Sequence, residues 1–288
     1  MTYSIVGKDA KTGELGVAVQ SRAFGVGICA WARPGVGAVA TQSFTEPGYG
    51  PRGLDLLGGG ASPEDALAEL LSGDERRDFR QVAFLSADGR TAAHTGAACI
   101  ADCGHTARPG VSAQGNMLAS AEVWTAAADA FEAAEGELGE RLLAALDAAE
   151  AAGGDFRGRE AAALVVVSGD AEEEPWARVV DLRVDNHADP LGELRRLYAL
   201  KAAARRRRTF SADTNLEEEI AIATAAGFSD DEVALTGALV AVAHGDLDRA
   251  AVFLRPSADA DRRWREAFER YVRLEILPRA VLDRIDST

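Results

Sequence analysis

The residues best placed to do chemistry stand at the start of the chain. Thr2 follows Met1 directly, and threonine is small enough for methionine aminopeptidase to remove the residue before it. A terminal threonine holds a hydroxyl nucleophile and a base in one residue. Its α-amine titrates near ~7.7–8.0, so it can take the hydroxyl proton close to neutral pH. If Met1 is kept, this chemistry is unavailable. Residues 3–6 and 15–20 read as strands joined by the turn-rich stretch 8–13, which places Thr2 opposite Ser21 and Arg22. A second hairpin on Pro34-Gly35 delivers Thr41, Gln42 and Ser43 to a strand end. Arg22 could hold a substrate carboxylate or depress the amine pKa, while Gln42, or Asn116 in Gln114-Gly115-Asn116, could donate to an oxyanion. Taken singly, each of these residues reads better as an exposed turn residue or a satisfied strand-end polar group.

Other patterns carry less. Cys99, Cys103 and His105 put three soft ligands close together, but a structural zinc site needs four, usually from two separated pairs. No second cysteine pair exists, so no metal or other cofactor is expected. His94, His187 and His244 stand alone. Gly25-x-Gly27 and Gly58-Gly59-Gly60 lack the strand–turn–helix setting of a phosphate loop. There is no Gly-x-Ser-x-Gly elbow for Ser-His-Asp catalysis.

The elements that must position Thr2 follow from periodicity and turn chemistry. Strands are predicted over 3–6, 15–20, 26–32, 36–43, 81–86, 91–95, 111–117, 161–168 and 178–184, with Asp88-Gly89 as the strongest hairpin signal. Small residues dominate the first four strands (Gly16, Ala18, Gly37, Ala38, Ala40), as close packing against another layer requires. Helical signals open at Tyr49 and at Ser62-Pro63, run over 119–135 and 138–152, and resume after Asp189-Pro190. This order predicts an α+β domain over residues 1–208, two antiparallel sheets with helices outside both, a four-layer α-β-β-α arrangement. Residues 209–288 show only helical periodicity and predict a small all-α C-terminal domain.

Bulk composition sets limits on partners. The chain has 288 residues and a net charge of −15, which argues against nucleic acid and against anionic membranes. The Arg205–Arg208 run reads as a basic helix end complementing its dipole. No apolar run approaches the ~20 residues of a membrane span, and the first residues lack a signal-peptide pattern. With three cysteines, a reducing, cytoplasmic setting is expected.

Several motifs together make the chain resemble the DUF1028 family. They are Thr2-Tyr-Ser-Ile-Val6, residues 13–21, residues 35–42, Tyr49-Gly-Pro-Arg-Gly-Leu54, Gln114-Gly-Asn116, Gly153-Gly-Asp-Phe-Arg-Gly158 and residues 180–187. The resemblance implies a fold like that of the N-terminal-nucleophile hydrolases, in which Thr2 would be the nucleophile that cleaves an amide. Asp155 and Arg157 keep the family's loop pattern, as binding or structural residues. Glu160 and Ala161 stand where that pattern has Gln-Ser. Residues 214–285 more loosely resemble a domain described as peptidoglycan-binding that often follows this family. Their stripe Trp264, Phe268, Tyr271 has the spacing of a helix core. The expectation is an amidohydrolase acting on a small amide or peptide-like substrate, as a homodimer or higher homo-oligomer. The alternative is a non-catalytic ligand-binding or scaffold protein on the same fold.

Overall fold

The computed structural model describes residues 2–287. Its chain divides into two compact units, Met1–Arg195 and Arg196–Thr288. The sequence reading set the boundary after Arg208; the division falls earlier, inside the fifth helix, α5 (Pro190–Arg206).

The first unit is built on two antiparallel sheets. In chain order its strands are β1 (Thr2–Lys8), β2 (Leu15–Ser21), β3 (Ala30–Arg33), β4 (Gly37–Ser43), β5 (Arg80–Ser86), β6 (Thr91–Thr95), β7 (Gly104–Arg108), β8 (Val111–Asn116), β9 (Ala161–Val167) and β10 (Val180–Val184). One sheet has the order β10-β9-β2-β1-β8-β7, the other β3-β4-β5-β6. β1 therefore lies inside its sheet, with Thr2 opposite Ser21 on one side and Asn116 on the other. Between the sheets the core is made of small side chains. Val6, Val17, Val19, Ala163 and Val165 meet Ala32, Ala38, Ala40, Ala83 and Leu85, so the backbones can come close together.

The outer faces are covered by helices. α1 (Tyr49–Gly58) and α2 (Pro63–Ser72) place Tyr49, Leu54 and Leu67 on Val39, Val82 and Phe84. α2 starts as its sequence directs: Ser62 Oγ accepts from the Asp65 N–H, and Pro63 occupies the first helical position. α3 (Val123–Ala133) and α4 (Leu138–Ala151) press on the other sheet at the cross-strand pair Gly7 and Gly16. A Cβ on Gly7 would lie 2.6 Å from Phe131, and one on Gly16 2.7 Å from Leu142. The glycines in these strands are there to admit the helices.

Two local readings change. Residues 26–29 form a 3-10 turn, because Gly25 takes φ +68° and interrupts the extended chain; the strand begins only at Ala30. β7 has no predicted counterpart, since its edge sequence Gly-His-Thr-Ala-Arg alternates no apolar side chains.

In the second unit, α6 (Leu216–Ala225), α7 (Asp230–Ala243), α8 (Leu247–Ala260), α9 (Arg262–Arg273) and α10 (Arg279–Asp286) follow one another. Leu235, Ala238, Leu254, Phe268 and Leu282 form their core. Phe268 is fully buried with Trp264 and Tyr271 packed against that core, so the aromatic stripe is interior packing. Arg206 pairs with Glu219, and Arg207 with Glu232 at 2.6 Å.

An ion pair fixes the start of β5. Arg80 Nε donates to Asp74 Oδ2 at 2.7 Å, and its Nη1 donates to the Phe44 carbonyl at 2.6 Å. The Arg80 hydrogen bond, ahead of the backbone N–H of Arg76 and the Tyr49 hydroxyl, holds the Asp74 carboxyl below its ordinary range. Both side chains are nearly buried. Asp74→Asn is expected to lose about 2–4 kcal/mol in urea denaturation at pH 7. Because the folded pKa is depressed, the wild-type advantage is present above the unfolded carboxylate value of about 3.9. It should shrink as pH falls below that value through the folded pKa.

Candidate functional site

Thr2, Ser4, Ser112, Gln114 and Asn116 lie on the face of their sheet that meets β4 and β5, as period-2 alternation along β1 and β8 requires. Gln42 and Gln81, directly opposite each other on β4 and β5, reach back toward them. All seven side chains are buried, Thr2 at 5 % exposure.

These groups form one hydrogen-bonded network across the two sheets. Gln42 Nε2 donates to the Thr2 carbonyl (3.1 Å), to Gln81 Oε1 (2.7 Å) and at the limit of reach to the Gln114 carbonyl (3.5 Å). Its Oε1 accepts from Ser4 Oγ at 2.6 Å, and Gln114 Nε2 donates to the same Ser4 oxygen at 2.5 Å. Gln81 Nε2 donates to the Gly115 and Gly104 carbonyls and to Thr95 Oγ1. Asn116 Nδ2 donates to Gln81 Oε1 at 2.9 Å. Thr2 Oγ1 lies 3.1 Å from Ser21 Oγ, to which it donates. Thr95 Oγ1 also meets His105 Nδ1 at 2.9 Å. The hydroxyls and amides of the network carry no charge, and burial, with His94 beside it, lowers the pKa of the outlying His105 imidazole and so favours its neutral form.

Beyond Thr2 the charged residues are paired among themselves. Arg22 forms an ion pair with Glu160, and the Arg22 backbone N–H donates to Asp155 Oδ2 at 3.0 Å. The Asp155 carboxylate is wholly buried and also accepts from Arg157 N (3.0 Å) and Nη2 (3.1 Å). Asp155 thereby ties the residue after Ser21 to the loop after α4. Glu160, which departs from the family pattern, is the counter-ion of Arg22.

The candidate residues thus divide. Thr2, Ser21, Gln42 and Asn116 converge; Asp155 and Arg157 join them through Arg22. Ser43, one residue past Gln42, takes φ +71°, and Met117, one past Asn116, takes φ +58°. Left-handed backbone at non-glycine residues is uncommon and concentrates where a fold is constrained for function. Ser4 and Gln81 were missed in the sequence, although Thr2/Ser4 and Ser112/Gln114/Asn116 repeat at spacing two. Cys29 is the nearby residue that offers a rival nucleophile. Its thiol is pushed up to about 11 by burial, partly countered by Thr45, so it is protonated at neutral pH. Among the described residues no cluster of three metal-ligating side chains occurs, and no helix is long and apolar enough to cross a membrane.

Comparison with known proteins gives the family. The model described as "Family of unknown function (DUF1028)" matches residues 2–194, more than half of the chain, and the protein belongs to this family. A crystal structure of a DUF1028 protein from Silicibacter pomeroyi is similar to it at 34 % identity and a TM-score of 0.62, covering 68 % of this chain and 87 % of that one. No curated protein matches.

A contrast between two glutamines tests the network. Gln42→Met should cost about 2–4 kcal/mol in urea denaturation, since it leaves the buried Ser4 hydroxyl proton without its acceptor and removes the side-chain donor to the Thr2 carbonyl. Gln20 is equally buried, yet neither its Nε2 nor its Oε1 has a partner among the described residues. Gln20→Met should therefore be neutral or stabilising, by up to about 1 kcal/mol.

Proposed function

We propose that this protein is an N-terminal-nucleophile amide hydrolase, with its two sheets and flanking helices forming the four-layer α-β-β-α arrangement of that class. The observation that carries the reading is the setting of Thr2. It opens an interior strand, its hydroxyl faces Ser21, and its carbonyl is held by Gln42. Such fixation of a chain end is what positioning a nucleophile requires.

Once Met1 is removed, the Thr2 α-amine accepts the Oγ1 proton as Oγ1 attacks the substrate carbonyl carbon. The tetrahedral intermediate collapses as the carbon–nitrogen bond breaks and the leaving amine takes the proton. An ester to Thr2 remains, and water, deprotonated by the α-amine, hydrolyses it. Asn116 Nδ2 uses one proton on Gln81 Oε1 and supplies the other to the oxyanion. Gln42 serves as the strap on the Thr2 backbone, because its amide nitrogen is already shared among three acceptors. Residues 209–288 are read as a small all-α domain for association or recognition.

Two measurements test this. Intact-mass analysis of native protein should give a chain beginning at Thr2; Met1 retained in active protein would overturn the mechanism. In an amide-substrate screen, Thr2→Ala should lose about a thousandfold or more in kcat/KM, while Thr2→Ser keeps a measurable fraction. Ligand binding without turnover in a chain that keeps Met1 would favour the non-catalytic alternative.

A further inference from the structure

The large apolar side chains that the first unit exposes are not scattered. Among the described residues six of the seven, Phe24, Ile28, Phe44, Phe79, Ile100 and Phe156, lie on the connections at the Thr2 end of the two sheets, and Trp176 lies at the other end. The positions follow from the strand partners of Thr2. Phe24 and Ile28 come just after Ser21, the partner on β2. Phe44 follows Gln42, and its N–H donates to the Phe79 carbonyl at 3.2 Å, with the two rings edge to face at 5.4 Å. The Ile100 carbonyl accepts from Met117 N–H at 2.8 Å, next to Asn116, the partner on β8. Phe156 adjoins Asp155, which holds Arg22. Scattered surface hydrophobics need no explanation, but a set gathered at one end around a site does.

The chemistry inside this rim points the same way. The polar groups around Thr2 are hydroxyls and amides, and Arg22 is already neutralised by Glu160. Beside Thr2 a substrate carboxylate would find Arg22 already paired with Glu160, while an apolar group would find the exposed rings, Phe44 among them with Arg76 over its face at 5.9 Å. Resting on the assignment of Thr2 as the nucleophile, we infer that the substrate is an uncharged amide carrying a large apolar group, aliphatic or aromatic. Glu160 is a specificity residue that keeps Arg22 from recruiting an anion.

Three p-nitroanilides, octanoyl, acetyl and succinyl, test the inference on the full chain. The octanoyl compound is expected to exceed the acetyl in kcat/KM by at least about tenfold, and the succinyl to be the poorest. Phe44→Ser and Phe156→Ser should each lower the octanoyl-to-acetyl ratio, whereas Trp176→Ser should leave both rates unchanged. Glu160→Gln should raise the succinyl rate relative to the octanoyl, by releasing Arg22. Acetyl or succinyl cleaved as well as octanoyl, with Thr2→Ala inactive, would overturn the inference and leave the hydrolase standing. Cleavage of none of the three by protein lacking Met1 would overturn both. A halved mass on light scattering for Phe44→Ser would make the rim a contact between copies and overturn the inference alone.

Discussion

The first unit depends on amide groups that bridge its two sheets. Apolar contacts between sheets are tolerant of small shifts, because one methyl can replace another. The Gln42 and Gln81 side chains are not tolerant. Each donates to backbone carbonyls of the opposite sheet, at Thr2 and Gly115, and each accepts from that sheet's side chains, Ser4 and Asn116. Displacing one sheet by a residue would strand these buried groups without partners, at about 1–3 kcal/mol apiece. The network therefore sets the registration of the sheets, and with it the place of every loop at the Thr2 end.

The rest of that end is built to suit. Small side chains between the sheets let Gln42 reach the Thr2 carbonyl without a gap. Arg80 carries the Phe44 carbonyl on one side, and Asp155 carries the backbone after Ser21 on the other. Arg22 and Asp155 are used in holding loops, so the groups that touch Thr2 itself are hydroxyls and amides.

Much of this was legible in the sequence, for identifiable reasons. Strand periodicity and the turn at residues 8–13 put Thr2 opposite Ser21, the observed pairing. Asp88-Gly89 made its hairpin, with Gly89 at φ +89°. What escaped was mainly non-local. Gln81 looks like an ordinary strand-opening residue until β5 is set beside β4 and across from β8. Glu160 stood out only as a departure, and its partner Arg22 is far away in sequence. β7 is an edge strand whose pairing with β8, not its own pattern, makes it a strand. The division of the chain fell within a continuous helix, where composition gives no sign of a boundary.

The interior position of β1 also has a meaning in time. β1 can pair with β2 as soon as both are made, but its other edge stays open until Asn116 has been synthesised. Through that interval the first residues of the chain hang from a bare hairpin, accessible to any trimming enzyme. Later Thr2 is enclosed and all but hidden. If the chain is processed to Thr2, as the proposed mechanism requires, that processing is a race against the arrival of β8, and slowing synthesis ahead of β8 would lengthen the interval in which the end can be cut.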